Sequence, residues 1–210
     1  LRIKPADLTA GHLWDHSDGE LFWWIGHGMD DPEGGLAMPG FAGTLPEDDR
    51  WALIDYIHAL NAGAAFERSG LWTHPVAAPD LPVACDGGTA DRLRELRGRF
   101  VRVMTTPAAA PPPGAMILRL DPGEGGSPPA GGCASASSDA WDAYAIVAGT
   151  TDANLTGWEF LIDPQGWLRI AHGPHEGPDW NDPGVLRAAL RDLRKQPITG
   201  TLGGIHVHGH

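Results

Sequence analysis

Leu36-Ala37-Met38-Pro39-Gly40-Phe41 is the stretch on which the reading of the first third of the chain turns. It places a thioether directly before a proline, whose ring fixes φ and stiffens the backbone that presents the sulfur. On its N-terminal side, Met29 to Gly35 is glycine-rich and reads as a loop. Before that loop, Ser17-Asp18-Gly19-Glu20 fits a capping box, in which the serine oxygen and the glutamate carboxylate satisfy orphan amides at a helix start. The apolar run Leu21-Phe22-Trp23-Trp24-Ile25 carries the helix onward until Gly26 and Gly28 weaken it. On the C-terminal side, Pro46 suits a first helical turn, and Glu47, Asp48 and Asp49 complement the positive end of the helix dipole. Leu53, Tyr56, Ile57 and Leu60 recur at helical spacing beside Trp51 and Ile54, and Asn61-Ala62-Gly63 reads as the stop. Two short helices are therefore expected to flank a loop with Met38 near its end.

With His27-Gly28, the glycine-rich loop, Met38-Pro39-Gly40-Phe41, the acidic turn and Arg50-Trp51-Ala52-Leu53-Ile54-Asp55-Tyr56-Ile57, residues 1–66 resemble the C-terminal half of class I cytochromes c. The resemblance implies a partial all-α domain with haem c as cofactor and Met38 as the axial sulfur ligand of the iron. Trp24 and Phe41, with Trp23, would wall the haem. A thioether is a soft neutral ligand that favours reduced iron and raises the potential. The competing reading makes Met38 a gap-filling core residue, the usual fate of methionine. Met29 lacks a following proline and is the weaker ligand candidate. The Cys-x-x-Cys-His motif that would tether haem and supply the other axial ligand is absent from the chain. The resemblance places it before Leu1, and the opening Leu1-Arg2-Ile3-Lys4 fits a chain with sequence upstream. By itself this stretch is not expected to hold haem covalently, and Tyr56 and its neighbours are expected to lack part of their packing. Histidine is a common ligand, but His12 and His16 precede the first cap, His27 sits at best near a haem edge, and His58 is read on the exposed side of the second helix.

Gly63 to Ala78 shows little helical periodicity and reads as a linker, with its boundaries set at residues 67–78. Beyond it the pattern changes. Strands are expected at Leu81–Cys85, Phe100–Thr105, Ala115–Leu120, Trp158–Asp163 and Trp167–His172. Short helices are expected at Asp91–Leu96 and from a Ser138 cap to Val147, and a last helix is capped by Asp182 with Pro183 as its first residue. Val185, Leu186, Ala189, Leu190 and Leu193 form that helix's buried stripe. Mixed strands and helices imply an α/β sandwich with antiparallel edge strands. Ala78-Pro79-Asp80-Leu81, Leu96-Arg97-Gly98-Arg99-Phe100-Val101 and Phe160 to Arg169 resemble the thioredoxin-like fold of periplasmic thiol-redox and copper-chaperone families, over residues 79–195. Where that family keeps Cys-x-x-Cys at a helix start, this chain has Pro107-Ala108-Ala109-Ala110-Pro111-Pro112-Pro113, and Gly157 stands near its cis-proline position. No nucleophile is available there, so no enzymatic activity is expected. Cys85 and Cys133 are read as bystander thiols, with a disulfide between them left to geometry. Met104 and Met116 are read as core strand residues.

A formal charge of −12 on 210 residues argues against a nucleic-acid partner, because phosphate binding needs concentrated Lys and Arg. No stretch approaches the roughly 20 uninterrupted apolar residues of a membrane helix. The tail, residues 196–210, ends in His206-Val207-His208-Gly209-His210, whose spacing turns three imidazoles to one side of an extended chain. Copper is the favoured metal for such a set by affinity order. A cytochrome c domain fused to a thioredoxin-like domain resembles the C-terminal part of bacterial copper-resistance D-type membrane proteins. That resemblance implies a periplasmic location, a membrane domain upstream and a redox partner protein. The expectation is thus a non-enzymatic electron-transfer module, with copper binding or delivery through His206, His208 and His210 as the alternative.

Overall fold

A computed structural model describes residues 5–88, 90–106, 114–123, 126–150 and 154–199. The chain gathers into two compact units, residues 1–74 and 75–210. Among the described residues it is an α/β protein with four α-helices, a seven-stranded mixed sheet and a separate two-stranded hairpin.

The first unit opens with a turn of 3₁₀ helix, Gly11–Asp15, followed by α1 (Asp18–His27), β1 (Gly28–Asp30), β2 (Leu36–Pro39) and α2 (Glu47–Ser69). The capping box forms as read: Glu20 N donates to Ser17 Oγ at 3.3 Å and Ser17 N donates to Glu20 Oε2 at 2.8 Å. The all-α expectation needs correction, because β1 and β2 pair antiparallel where a loop was expected. Asp31 is the physical reason. Its Oδ1 accepts from Glu33 N at 2.9 Å and Gly35 N at 2.7 Å, while its own amide donates to Gly35 O at 2.7 Å. That closes the turn and brings the flanking residues into register.

Asn61-Ala62-Gly63 also departs from its expected role, since α2 continues through it to Ser69 and ends at Gly70 in the left-handed region, φ 68°. All three residues are buried. Trp14 Nε1 donates to Asn61 Oδ1 at 2.6 Å and Asn61 Nδ2 donates to Ala10 O at 2.6 Å, so tertiary partners hold this amide inside the helix. Small side chains here serve close packing instead of a stop. The buried positions Ile54, Ile57 and Asn61 face inward, with Leu13, Leu21 and Ile25 completing the apolar cluster, whereas Tyr56 is 47% exposed.

Two glycines lock the hairpin to the end of α1. A Cβ on Gly28, whose φ is +81°, would stand 2.7 Å from Gly40 N, and one on Gly40 would stand 2.6 Å from both Gly26 O and His27 C. Backbone atoms cannot swing aside. Gly28→Ala and Gly40→Ala are each expected to destabilise the protein by about 1–3 kcal/mol, as overpacking does. Gly19→Ala, inside α1 with open space around its Cα, is expected to stabilise by about 0.5–1 kcal/mol. Urea unfolding followed by tryptophan fluorescence reads both signs.

In the second unit the strands are β3 (Val76–Ala77), β4 (Ala84–Cys85), β5 (Val101–Met104), β6 (Met116–Asp121), β7 (Cys133–Ala136), β8 (Glu159–Ile162) and β9 (Trp167–His172). They lie in the order β3-β9-β8-β5-β6-β7-β4. β5, β6 and β7 run parallel to one another, and both edge strands pair antiparallel, the mixed arrangement implied by the sequence. β3 falls within the expected linker, where Val76 is buried opposite Leu168. The expected strand 81–85 shrinks to β4, and the expected helix 91–96 is a single 3₁₀ turn, Leu93–Leu96. α3 (Ser138–Ala148) is capped by Ser137, one residue earlier than read, through Ala140 N to Ser137 Oγ at 3.2 Å. α4 (Pro183–Lys195) is capped as read, Asp182 Oδ1 accepting from Gly184 N at 2.6 Å, and its Leu186 and Leu190 pack with Phe100, Leu161 and Trp180.

Asp80 ties the 3₁₀ turn to the chain before it: Arg92 Nε and Arg94 Nη1 donate to its Oδ2 at 2.7 and 2.6 Å. Burial alone would raise its pKa, but the hydrogen bonds from Arg92 and the Arg94 amide, with both positive charges, hold the carboxyl below its ordinary value. A folded pKa below the unfolded one stabilises above the unfolded pKa, and this contribution is lost as pH falls through the folded pKa. Asp80→Asn is therefore expected to flatten the acid limb of stability against pH below about 4, measured as urea midpoints from pH 6 to pH 2.5.

Candidate functional site

Met38 lies on β2, with Met29 as its direct Cα partner across the hairpin. Directly opposed residues in an antiparallel pair project to one face, and residues two apart on a strand share a face. Met29 and Met38 therefore share a face of the hairpin, and a bulge after Met29 pairs Leu36 with Asp30. Met29 is 37% and Leu36 59% exposed, and Met38 is half-buried. Immediately after Met38-Pro39-Gly40, Phe41 N donates to Ile25 O at 2.8 Å and Ala42 N to Gly26 O at 3.1 Å. These bonds satisfy carbonyls that a helix end leaves open and fix the methionine-bearing strand onto α1.

Trp24 and Phe41 both pack, half-buried, against the cluster of Leu13, Leu21, Ile25, Ile54 and Ile57. Met38 is not among the side chains packed there. Trp23 is 55% exposed and stacks on His27, ring centroids 4.7 Å apart. His16 stands edge-on to Trp24 at 4.7 Å. His58 is not exposed as expected: its side chain is 18% accessible, Nε2 lies 2.9 Å from Asp18 Oδ1, and its ring packs on Trp14 at 4.5 Å. His74 stacks on Trp14 at 4.7 Å. Burial, followed by the neighbouring Asp18 charge, raises the carboxyl pKa of Asp55 beside this group.

Cys133 is not a bystander thiol. It lies buried in β7 opposite Cys85 of β4, and the two form a disulfide, which overturns the bystander reading. Met104 is buried in β5 as expected, and Met116 is half-buried in β6. Residues 107–113, where a Cys-x-x-Cys would stand, and the tail histidines His206, His208 and His210 lie outside the described residues. No helix among the described residues is long and apolar enough to cross a membrane.

The second unit holds a polar centre that the sequence reading missed. Arg102, in the middle of β5, is fully buried; its Nε and Nη2 donate to the two carboxylate oxygens of Glu159 at 2.8 Å each. Nη1 donates to Trp180 O at 2.9 Å and Nη2 also to Asn181 Oδ1 at 3.1 Å. This fixes Glu159 at the start of β8, opposite His172 at the end of β9. The His172 ring packs on Trp180 at 4.2 Å, and both of its nitrogens are buried. Burial lowers the His172 pKa, against the opposing charge of Glu159, a backbone hydrogen bond with Gly173 and the charge of Glu176. Glu159, His172, Trp180 and Asn181 border a cleft of about 380 Å³ that also meets Gly157, His175 and Glu176. A lone Arg inside the apolar run Phe100 to Met104 was the available signal.

No protein-family model and no curated protein matches the chain.

Proposed function

We propose that residues 1–66 are the C-terminal half of a c-type cytochrome domain in a periplasmic electron-transfer protein, with Met38 as the axial sulfur ligand of haem iron. Residues 79–195 then form a thioredoxin-like domain that serves docking or scaffolding instead of thiol chemistry. The position of Met38 carries the reading. A gap-filling core methionine belongs inside the apolar cluster, whereas Met38 is half-buried on an anchored hairpin, directly opposite Met29. The pair offers a soft donor, and the half-buried Trp24 and Phe41 pack on the apolar cluster of the same unit, which suits a flat apolar group with a metal centre. All six exposed large apolar side chains among the described residues, Leu8, Trp23, Met29, Leu36, Tyr56 and Leu71, belong to this unit.

When bound, haem supplies a one-electron couple whose potential methionine ligation raises. The chain's own part is to hold the sulfur: Pro39 limits the backbone at the ligand, and the Gly28–Gly40 approach fixes the strand, so that little reorganises when the iron changes charge. Covalent attachment and the second axial ligand are assigned to sequence preceding Leu1. The Cys85–Cys133 disulfide supports an oxidising compartment, since such bonds persist there. A redox partner protein and a membrane domain upstream complete the proposal. The test is to isolate the natural gene product from the cell envelope and stain a denaturing gel for haem peroxidase activity. Haem that stays with the polypeptide is expected; a natural product without haem contradicts the reading.

A further inference from the structure

We propose that Asn154 is the acceptor of an N-linked oligosaccharide, attached outside the cytoplasm. Of the three asparagines in the chain, Asn61, Asn154 and Asn181, only Asn154 has a hydroxyl side chain two residues on with no proline between, in Asn154-Leu155-Thr156. That spacing is the acceptor motif for N-glycosylation, and it belongs on a surface loop of an exported protein. In the sequence, Asp152 stands two positions before the asparagine, where bacterial transferases read an acidic residue together with the motif.

The folded chain presents the motif as an acceptor requires. Asn154 lies between α3 and β8, and its Oδ1 accepts from Thr156 N at 3.0 Å, an Asx turn that folds the carboxamide back toward the threonine. Asn154 and Thr156 are both exposed, while Leu155 between them is fully buried. Leu155 O accepts from Trp158 N at 2.9 Å and from Thr105 Oγ1, which pins the turn to the sheet. An oligosaccharide on Asn154 extends into solvent and leaves this anchor in place. The same anchor sets the order of events: a transferase has to draw the motif into its own site, which a buried Leu155 resists, so transfer precedes folding. In that step Asn154 Nδ2 bonds to the anomeric carbon of an oligosaccharide carried on a polyprenyl diphosphate. The bond from that carbon to the diphosphate oxygen breaks, polyprenyl diphosphate leaves, and the proton lost from Nδ2 passes to a base of the transferase. The inference rests on the extracytoplasmic location in the proposed function, which the Cys85–Cys133 disulfide supports, and is independent of haem.

The test is mass spectrometry of the peptide containing Asn154, from the natural gene product isolated from the cell envelope and from variants expressed in the same host. The wild-type peptide is expected to carry a sugar mass on Asn154. Asn154→Gln and Thr156→Ala are each expected to lose it, and Thr156→Ser, which restores the hydroxyl, to keep it. Unmodified Asn154 in the mature wild-type protein overturns the proposal, and so does a sugar mass that survives Asn154→Gln or Thr156→Ala. Haem staining of the same sample separates the two readings: a haem protein with unmodified Asn154 overturns the glycosylation alone, and a glycosylated protein without haem overturns the cytochrome reading alone.

Discussion

Replacing Cys85 and Cys133 together by alanine lowers the stability of the protein by about 4 kcal/mol, the chain-entropy value for a closed loop of this size. The two cysteines are 48 residues apart in sequence, so the bond removes a large share of the freedom of the unfolded chain. Little else can replace it. β4 is two residues long and lies at the sheet edge, held to β7 by two register pairs, by Asp86 N to Gly132 O at 2.9 Å and by Gly131 N to Asp86 Oδ2 at 2.8 Å. Urea unfolding of the oxidised protein against the double variant measures the difference. A change under 1 kcal/mol would show that the crosslink adds nothing the unfolded chain lacks.

Arg102→Met costs about 3–5 kcal/mol, the usual penalty for leaving one member of a buried ion pair alone. The substitution keeps most of the side-chain volume but strips Glu159 of both its arginine donors, and the Trp180 carbonyl and Asn181 side chain lose one each. Glu159 is only 13% exposed, so water cannot fully answer it. Combining Arg102→Met with Glu159→Leu is expected to recover much of the loss, since buried pairs often exchange for apolar ones at little cost. Equal destabilisation in the single and double variants would place the cost in packing and not in the stranded carboxylate.

Local chemistry was legible in the sequence wherever its partners were close in the chain. Ser17 and Glu20 announce the capping box, and Asp182-Pro183 marks the start of α4 to the residue, because both depend on atoms within one helical turn. Features set by distant partners were not. Asn61-Ala62-Gly63 carries the composition of a helix stop, yet Trp14 and Ala10, far away in sequence, satisfy the amide and keep α2 going. The hairpin was hidden because Asp31 closes it with side-chain bonds that glycine-rich composition does not distinguish from an open loop. Cys85 and Cys133 meet only through the β4–β7 register, and the same holds for Glu159 and His172 across β8 and β9. Sequence periodicity states which residues belong to a strand and leaves open which residue each one faces.

Within the candidate haem-ligand region, the sequence identified Met38 by its proline and its flanking helices. The hairpin added that Met29 faces it, so two sulfurs compete for one role. The most direct measurement is the methionine-to-iron absorption band of the oxidised natural gene product, compared with its Met38→Ala and Met29→Ala variants. Loss of the band with a lowered reduction potential in Met38→Ala, and its retention in Met29→Ala, is the predicted result; a band unchanged by Met38→Ala would contradict the assignment.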